Sequence, residues 1–290
     1  MNSRIAWIDQ LKGLMLFIVI VEHVGIIPSY LETSLYFLGA GAMPVYFALC
    51  GYLFSNQKEP TIFFRGKLLS LFLPYVLISL LLVVFDPNIY KIDGMDYLFN
   101  EVYRIFIMGV SASKGTPLWF VYTLFFICCV SYCIFKYCTN VKFLITLAIS
   151  LSVTATMLSL HHINLFFNLE TLIAAYPFFI MGYIVKQENV ISRIHKYGRG
   201  NTTVLCIIII SLLFSAVIYT FYPLASVLHA NIPHFLSLYG LGSFLTIALV
   251  LIFFSSSINI YILKYLALNG MAFLGFHAYF QLGVLALCKK

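Results

Sequence analysis

The chain has 290 residues, of which 62% are hydrophobic and only 9% are charged, and its mean hydropathy is +0.99. About a quarter of the residues in a soluble domain are charged, so this composition excludes a soluble globular protein and indicates a membrane protein. The net charge of +7 needs no nucleic-acid partner, because the basic residues cluster at predicted membrane edges.

Apolar runs of about 20 residues, each long enough to cross a bilayer, recur along the whole sequence. They predict an all-α fold, a polytopic membrane helical bundle of about 9–10 transmembrane helices that forms a single domain over 1–290. The predicted spans are 13–30, 35–54, 67–85, 116–135, 142–160, 171–187, 202–222, 237–256 and 265–288. The segment 97–112 is apolar but carries Glu101 and Arg104, so it is predicted to be interfacial or re-entrant, with a tenth span as the alternative.

The lysine and arginine residues predict the orientation. If the N-terminus is cytoplasmic, all but five of the 17 fall on the cytoplasmic side, as the positive-inside rule expects. The five exceptions are Lys91, Arg104, Lys114, Lys289 and Lys290. The two terminal lysines fall outside after nine spans, so we expect either a miscounted span or a final helix that this chain lacks.

The first span carries Asp9, Lys12 and His23 on one face. Lys12 and His23 are 11 residues apart, close to three turns, which separates their Cα atoms by about 16 Å along the axis. With the span at 13–30, His23 is predicted to lie deep in the bilayer, where an ionisable group is costly unless it faces a polar cavity. His23 and Asp9 are therefore catalytic candidates. The alternative for His23 is an interhelical hydrogen bond, and the alternative for Asp9 is an ion pair with Lys12. Glu22 points about 100° away from His23, and we interpret it as a local peculiarity.

The sequence lacks the motifs of metal sites, of nucleotide-binding loops and of two common classes of hydrolase. The seven cysteines lack the paired spacing with nearby histidines that a metal site needs, so no metal site is predicted. Nucleotide-binding glycine loops and the G-x-S-x-G and H-E-x-x-H motifs are absent from the sequence.

Short motifs stand at the edges of the predicted spans. In chain order they comprise Met43, Pro44, Phe47, Gly51 and Tyr52; Arg65 and Lys67 running into Pro74 and Tyr75; Leu118, Trp119 and Phe120; and Asn269 followed by His277. Gly51 is predicted to let a neighbouring helix approach closely. Together with Arg4, Asp9, Lys12, Gly13 and His23, the ordered set resembles the acyltransferase 3 family of integral membrane acyltransferases, which includes bacterial sugar O-acetyltransferases. The resemblance covers nearly the whole chain, although Gly270 stands where serine is usual.

The resemblance implies a multi-pass O-acyltransferase of the bacterial cytoplasmic (inner) membrane. It would move an acyl group, by this resemblance an acetyl group, from cytoplasmic acyl-CoA to a sugar hydroxyl of a cell-surface glycan or lipid-linked glycan intermediate. His23 would be the general base, or the carrier in an acyl-histidine relay, and the acetyl-CoA phosphates would bind Lys12, Arg65 and Lys67. No cofactor would be permanently bound. Tyr75, Trp119, Asn269 and His277 would line the site, with helix packing as the alternative.

Two other classes of function stay open. A secondary transporter, or a flippase-like protein of glycan export, also places ionisable groups inside the membrane, although the paired halves with broken helices that transporters show are not visible here. An inactive, truncated acyltransferase homologue would tolerate the loss of both Lys12 and His23.

Overall fold

The computed structural model describes residues 5–24, 29–86, 90, 94–109, 117–196, 202–222, 225–256 and 259–276. Within these ranges the backbone is helical apart from short connections, and the β structure amounts to one isolated bridge between Ser226 and Asn231. The predicted all-α fold is confirmed.

The described ranges contain twelve α-helices and a further helical stretch at 270–276, and four of the twelve adjoin a short π-helical turn. The helices are α1 (Ala6–Val24), α2 (Ser29–Leu53), α3 (Pro60–Lys67), α4 (Leu73–Val84), α5 (Gly94–Tyr103), α6 (Trp119–Tyr137), α7 (Val141–Leu160), α8 (Leu169–Gln187), α9 (Val190–Lys196), α10 (Thr202–Phe221), α11 (Leu241–Ser255) and α12 (Tyr261–Leu268). The π turns are Leu68–Phe72 before α4, Arg104–Met108 after α5 and Leu236–Gly240 before α11.

Seven helical stretches of the described chain are long and apolar enough to cross a membrane, and they correspond to the second to eighth predicted spans, with starts within seven residues and ends within two residues. Their outward-facing side chains are apolar as well. On α10, for example, Leu213 is 59% exposed and Phe214 is 52% exposed. Contiguous exposed apolar surface of this kind is what lipid covers, so the chain is a multi-pass membrane protein.

The segment predicted to be interfacial or re-entrant forms α5 and the π turn that follows it. Fifteen helical residues extend only about 22 Å, less than the hydrocarbon core of about 30 Å. Its buried Glu101 accepts a hydrogen bond from Arg104 at 2.6 Å. This stretch is not among the spanning helices. The ninth predicted span, 265–288, lies largely outside the described residues.

The predicted start of the first span was wrong, because α1 begins at Ala6, seven residues before position 13. A hydropathy count treats Asp9, Gln10 and Lys12 as polar flanks, but the helix includes them. Gln10 is 4% exposed, and its Oε1 accepts the backbone N–H of Ile260 at 2.6 Å, at the start of α12. His23 lies in the last turn of α1.

The described residues fall into two compact units. The first comprises Met1–Phe54, Cys138–Ile163 and Ile173–Gly270. In its core, one stripe of α1 packs against α2, α10 and α11 through buried side chains that include Leu11, Met15, Ile18, Val45, Leu49, Ile218, Leu245 and Leu249. Between helices in lipid, tight packing rather than removal from water supplies most of the stabilisation.

Helices α2 and α8 approach each other at a reciprocal glycine contact. A Cβ on Gly51 would lie 1.9 Å from the carbonyl oxygen of Phe179, and a Cβ on Gly182 would lie 1.8 Å from that of Ala48. Both positions therefore require glycine. The prediction that Gly51 permits close helix approach is confirmed.

Hydrogen bonds within the first unit show which helix ends lie together. Lys186, near the end of α8, donates to the carbonyl of Phe54 after α2 at 2.6 Å. The neighbouring Gln187 donates to Thr139 before α7 at 2.7 Å. At the other end of α7, Ser159 accepts the backbone N–H of Ile232 at 2.8 Å. The ends of α2 and α8 thus lie beside the start of α7, as alternating membrane crossings require.

The predicted orientation can be tested with two exposed tyrosines at the ends of different helices. Tyr137 after α6 is 80% exposed, and Tyr90 after α4 is 76% exposed. In a variant without the seven native cysteines, we expect Tyr90→Cys to react with an impermeant maleimide added to intact cells. Tyr137→Cys and Lys196→Cys should react only after lysis, because lysine-rich connections remain cytoplasmic. Strong labelling of position 137 or 196 from outside would reverse the orientation.

The second unit comprises Ser55–Tyr137, Asn164–Leu172 and Met271–Lys290. Helix α3 runs into α4 through a π turn just before Pro74, whose missing N–H cannot complete a regular turn. The Tyr75 and Tyr122 rings meet in the unit's core with their centroids 5.4 Å apart. The Tyr75 hydroxyl donates to the carbonyl of Ile105 at 2.8 Å, which joins α4 to the π turn after α5.

Candidate functional site

The polar face of α1 lies beside its packing face rather than opposite it. At 100° per residue, Asp9, Lys12 and His23 centre about 95° from the centre of the α1 residues in the core of the first unit, which are Ile8, Leu11, Met15, Ile18 and Val19. Asp9 and Lys12 are half-buried and His23 is exposed. The three ionisable side chains share one face of α1, as the sequence predicted.

The imidazole of His23 is oriented by its own helix. Its Nδ1 lies 2.7 Å from the carbonyl oxygen of Val19, one turn earlier. A carbonyl oxygen can only accept, so this contact requires the proton on Nδ1. The second ring nitrogen, Nε2, then carries the lone pair. A backbone carbonyl that fixes the tautomer in this way is a common feature of histidines that act as bases or ligands.

Asp9 and Lys12 lie at the opposite end of α1 from His23. Fourteen residues separate Asp9 from His23, about 21 Å along the axis, so these two predicted catalytic residues do not form one hydrogen-bonded pair. The Lys12 ammonium lies 5.6 Å from the centroid of the Tyr46 ring on α2. Tyr46 also interacts electrostatically with Asp9 and Cys50. This end of α1 forms a polar cluster within the first unit.

Tyr46 is the residue that the sequence analysis missed in this cluster. A hydroxyl-bearing residue inside the Met43–Tyr52 motif was the available signal, but its direction depends on how α2 packs. The Tyr46 hydroxyl lies 3.9 Å from the point where a Cβ on Gly270 would stand. The departure from the family pattern at Gly270 is therefore next to Tyr46.

Asn269 and His277 were both predicted to line the site, but the structure describes only Asn269. Asn269 is exposed, and its side-chain nitrogen donates to the carbonyl of Tyr265 at 2.9 Å, so it closes the end of its own helix α12. His277 lies outside the described residues.

The predicted phosphate-binding residues of the second unit stand at the end of α3. Arg65 is exposed, whereas Lys67 is half-buried with its ammonium 5.7 Å from the centroid of the Phe63 ring. Two positions along a helix correspond to a rotation of about 200°, so Arg65 and Lys67 leave α3 on nearly opposite sides. They are two separate cations rather than one clamp.

Tyr75 and Trp119, predicted to line the site, are packing residues in the second unit. Tyr75 is fully buried, and its hydroxyl is bonded to Ile105. Trp119 is 8% exposed and meets the Phe120 ring edge-on at 6.5 Å.

Two further features bear on chemistry. In the described part of the chain, no group of three or more His, Cys, Asp or Glu side chains converges as a metal site would. The first unit has an apolar cavity of about 340 Å³, lined by residues that include Trp7, Tyr52, Ile194 and Val250. The hydroxyl of Thr246, which also lines the cavity, donates to the carbonyl of Gly242 at 2.6 Å.

The model of the acyltransferase 3 family, described as an acyltransferase domain, matches residues 5–287 and thus nearly the whole chain. No curated protein and no solved structure matches the chain.

Proposed function

Because the chain belongs to the acyltransferase 3 family, we propose that this membrane acyltransferase acylates a sugar hydroxyl. The donor is cytoplasmic acyl-CoA, in the first place acetyl-CoA, and the acceptor is a cell-surface glycan or a lipid-linked glycan intermediate in the bacterial inner membrane. The observation that carries the proposal is the orientation of His23: in the neutral imidazole, the Nδ1 contact with the carbonyl of Val19 assigns the ring proton to Nδ1 and the basic lone pair to Nε2.

In the proposed reaction His23 acts as general base. Nε2 takes the proton of the acceptor hydroxyl as the oxygen attacks the thioester carbonyl. The tetrahedral intermediate collapses with cleavage of the C–S bond, and the coenzyme A thiolate receives the proton from the imidazolium. A positioned base contributes about 10²–10⁴-fold in rate. In the relay variant, Nε2 attacks the thioester first and the acyl-imidazole is then transferred to the hydroxyl.

In the first unit, Lys12 is proposed to bind a phosphate of acyl-CoA, and in the second unit Arg65 and Lys67 are each proposed separately as phosphate-binding cations. Lys12 lies about 16 Å from His23 along α1, a distance that suits a donor held by its phosphates at one end of the helix while its extended arm reaches the other. The half-buried cluster of Asp9, Lys12 and Tyr46 supports a role for this end in holding the donor, with Asp9 balancing the charge of Lys12.

Loss of a phosphate-binding cation should weaken donor binding. We expect Arg65→Ala and Lys67→Ala each to raise the KM for acetyl-CoA by about tenfold or more, since a hydrogen bond to a charged group contributes about 1.5–3 kcal/mol. Because the two side chains leave α3 on different sides, their effects are measured separately. Lys142→Ala, which removes an exposed lysine at the start of α7, is the control and should leave KM unchanged. An unchanged KM in both variants would move the donor site elsewhere.

Mass spectrometry of surface glycans from cells with and without the gene tests the proposed reaction. We expect a mass difference of one acyl group, an acetyl group in the first place, that disappears after mild base treatment because esters are base-labile. Identical acylation but reduced glycan at the surface would instead favour an exporter.

A further inference from the structure

Glu22 occupies a position on α1 where an apolar residue is expected. The buried stripe of α1 runs through Leu11, Met15 and Ile18, and the next position at this spacing is Glu22. Its side chain is half-buried and points toward α2, not toward the face that carries His23. An ionisable side chain in a membrane-spanning helix is energetically costly and usually has a functional role. No such role for Glu22 was predicted from the sequence, so its position needs a physical explanation.

The neighbouring helix leaves room for this carboxylate. A Cβ on Gly39 of α2 would lie 1.6 Å from Glu22 Oε1 and 2.4 Å from Oε2. Glycine at position 39 therefore lets both carboxylate oxygens lie directly against the backbone of α2. An alanine there would push the carboxylate away, which a flexible side chain can accommodate without unfolding.

A tyrosine of α10 interacts with Glu22. Tyr219 of α10 interacts electrostatically with both Glu22 and Tyr36. Its ring also meets Phe37 edge-on, with the centroids 5.4 Å apart. All three tyrosine and phenylalanine side chains are half-buried. Among the described residues, neither ion pair involves Glu22, and no cluster of metal-binding side chains includes it.

We propose that Glu22, with Tyr36 and Tyr219, binds hydroxyl groups of the sugar acceptor and so determines which acceptor is used. A carboxyl group accepts hydrogen bonds from hydroxyl groups, and when it is ionised these charge-assisted bonds are stronger than neutral ones. The tyrosine hydroxyls can donate as well as accept, and aromatic rings offer apolar surface to a sugar face. This combination fits a polyhydroxylated ligand better than a metal ion, which would need more carboxylate or carbonyl oxygens.

The position of Glu22 beside His23 relates this subsite to the reaction. The Cα atoms of consecutive residues are about 3.8 Å apart, and the two side chains diverge by about 100°. One acceptor molecule can thus bond to Glu22 through one hydroxyl while it presents another to His23. The inference rests on the proposed acylation of a sugar.

The test compares Glu22→Gln with the wild-type protein in nanodiscs. The probe is the oligosaccharide mixture released from the source cells' surface polysaccharide and freed of O-acyl groups with base. We expect Glu22→Gln to raise the KM for the oligosaccharides about tenfold, since a charge-assisted bond becomes a neutral one, with the KM for acetyl-CoA and kcat within about twofold of wild type. An unchanged acceptor KM would overturn the inference.

Substitution at Gly39 provides an independent test. Gly39→Ala should displace the carboxylate and reproduce the rise in acceptor KM. Gly41→Ala is the matched control on the same helix, because its Cβ would meet the flexible end of Leu245 rather than a carboxylate. In a Glu22→Ala background, Gly39→Ala should have no additional effect. Equal effects of Gly39→Ala with and without Glu22 would show that helix packing alone is responsible.

Direct binding of the oligosaccharides separates failure of the inference from failure of the proposed function. If the wild type binds them without transferring an acyl group, and Glu22→Gln weakens binding about tenfold, the subsite stands and the proposed reaction is wrong. If the wild type transfers acyl groups and Glu22→Gln binds the acceptor normally, the reaction stands and the subsite is wrong. If the wild type neither binds nor modifies them, both are wrong.

Discussion

The His23→Gln variant is expected to lose acyl transfer by about 10²–10⁴-fold while it remains inserted and folded, because glutamine cannot take a proton at neutral pH. Glutamine keeps a hydrogen-bonding side chain of similar size, and it can still donate to the carbonyl of Val19 as Nδ1 does. The loss should be larger still if His23 carries the acyl group covalently. The measurement is the initial rate of acyl transfer by purified protein at saturating donor and acceptor.

The control for this variant is His161→Gln, which changes an exposed histidine after α7 that has no assigned role. It should retain the wild-type rate. His23→Ala should behave like His23→Gln in activity, with both variants eluting from size exclusion as the wild type does. Near-normal transfer by His23→Gln would make the residue structural and the proposed mechanism wrong.

Gly13→Ala is expected to destabilise the protein by about 3 kcal/mol or more, because the added methyl group has no room. Its Cβ would lie 1.8 Å from the carbonyl oxygen of Leu263 and 2.6 Å from its carbonyl carbon, both in the backbone of α12. Backbone atoms cannot rotate away, so α12 must shift. The shift would also strain the hydrogen bond from Ile260 to Gln10, which joins the same two helices.

Thermal unfolding in detergent, followed by loss of the monodisperse peak, measures this effect. Gly66→Ala is the matched control, because a Cβ there would meet nothing within 4 Å. It should be neutral or slightly stabilising, since alanine favours a helix over glycine by about 0.5–1 kcal/mol. A Gly13→Ala variant as stable as Gly66→Ala would show that α1 and α12 do not pack as described.

The sequence predicts most spans well because each is a continuous apolar run whose length is set by the bilayer. It fails at α1, where Gln10 is buried by a hydrogen bond to Ile260, 250 positions later in the chain. A local count of hydropathy cannot include a partner that distant.

In the candidate site, too, the sequence predicts features that depend on one helix and does not predict features that depend on packing between helices. The shared face of Lys12 and His23 follows from helix periodicity alone, so the sequence predicts it. Tyr46 and the space that Gly39 leaves for Glu22 depend on how α2 packs against α1, which a single sequence does not show. The different directions of Arg65 and Lys67 could have been predicted from their spacing of two residues in a helix.

The measurement that tests the proposed function most directly uses wild-type protein in sealed vesicles with acetyl-CoA labelled in the acetyl group and de-O-acylated surface oligosaccharides. We expect base-labile label on the oligosaccharides, with one coenzyme A thiol released for each ester formed and no transfer by His23→Gln. Accumulation of unmodified substrate inside the vesicles without ester formation would contradict the proposal and identify a transporter.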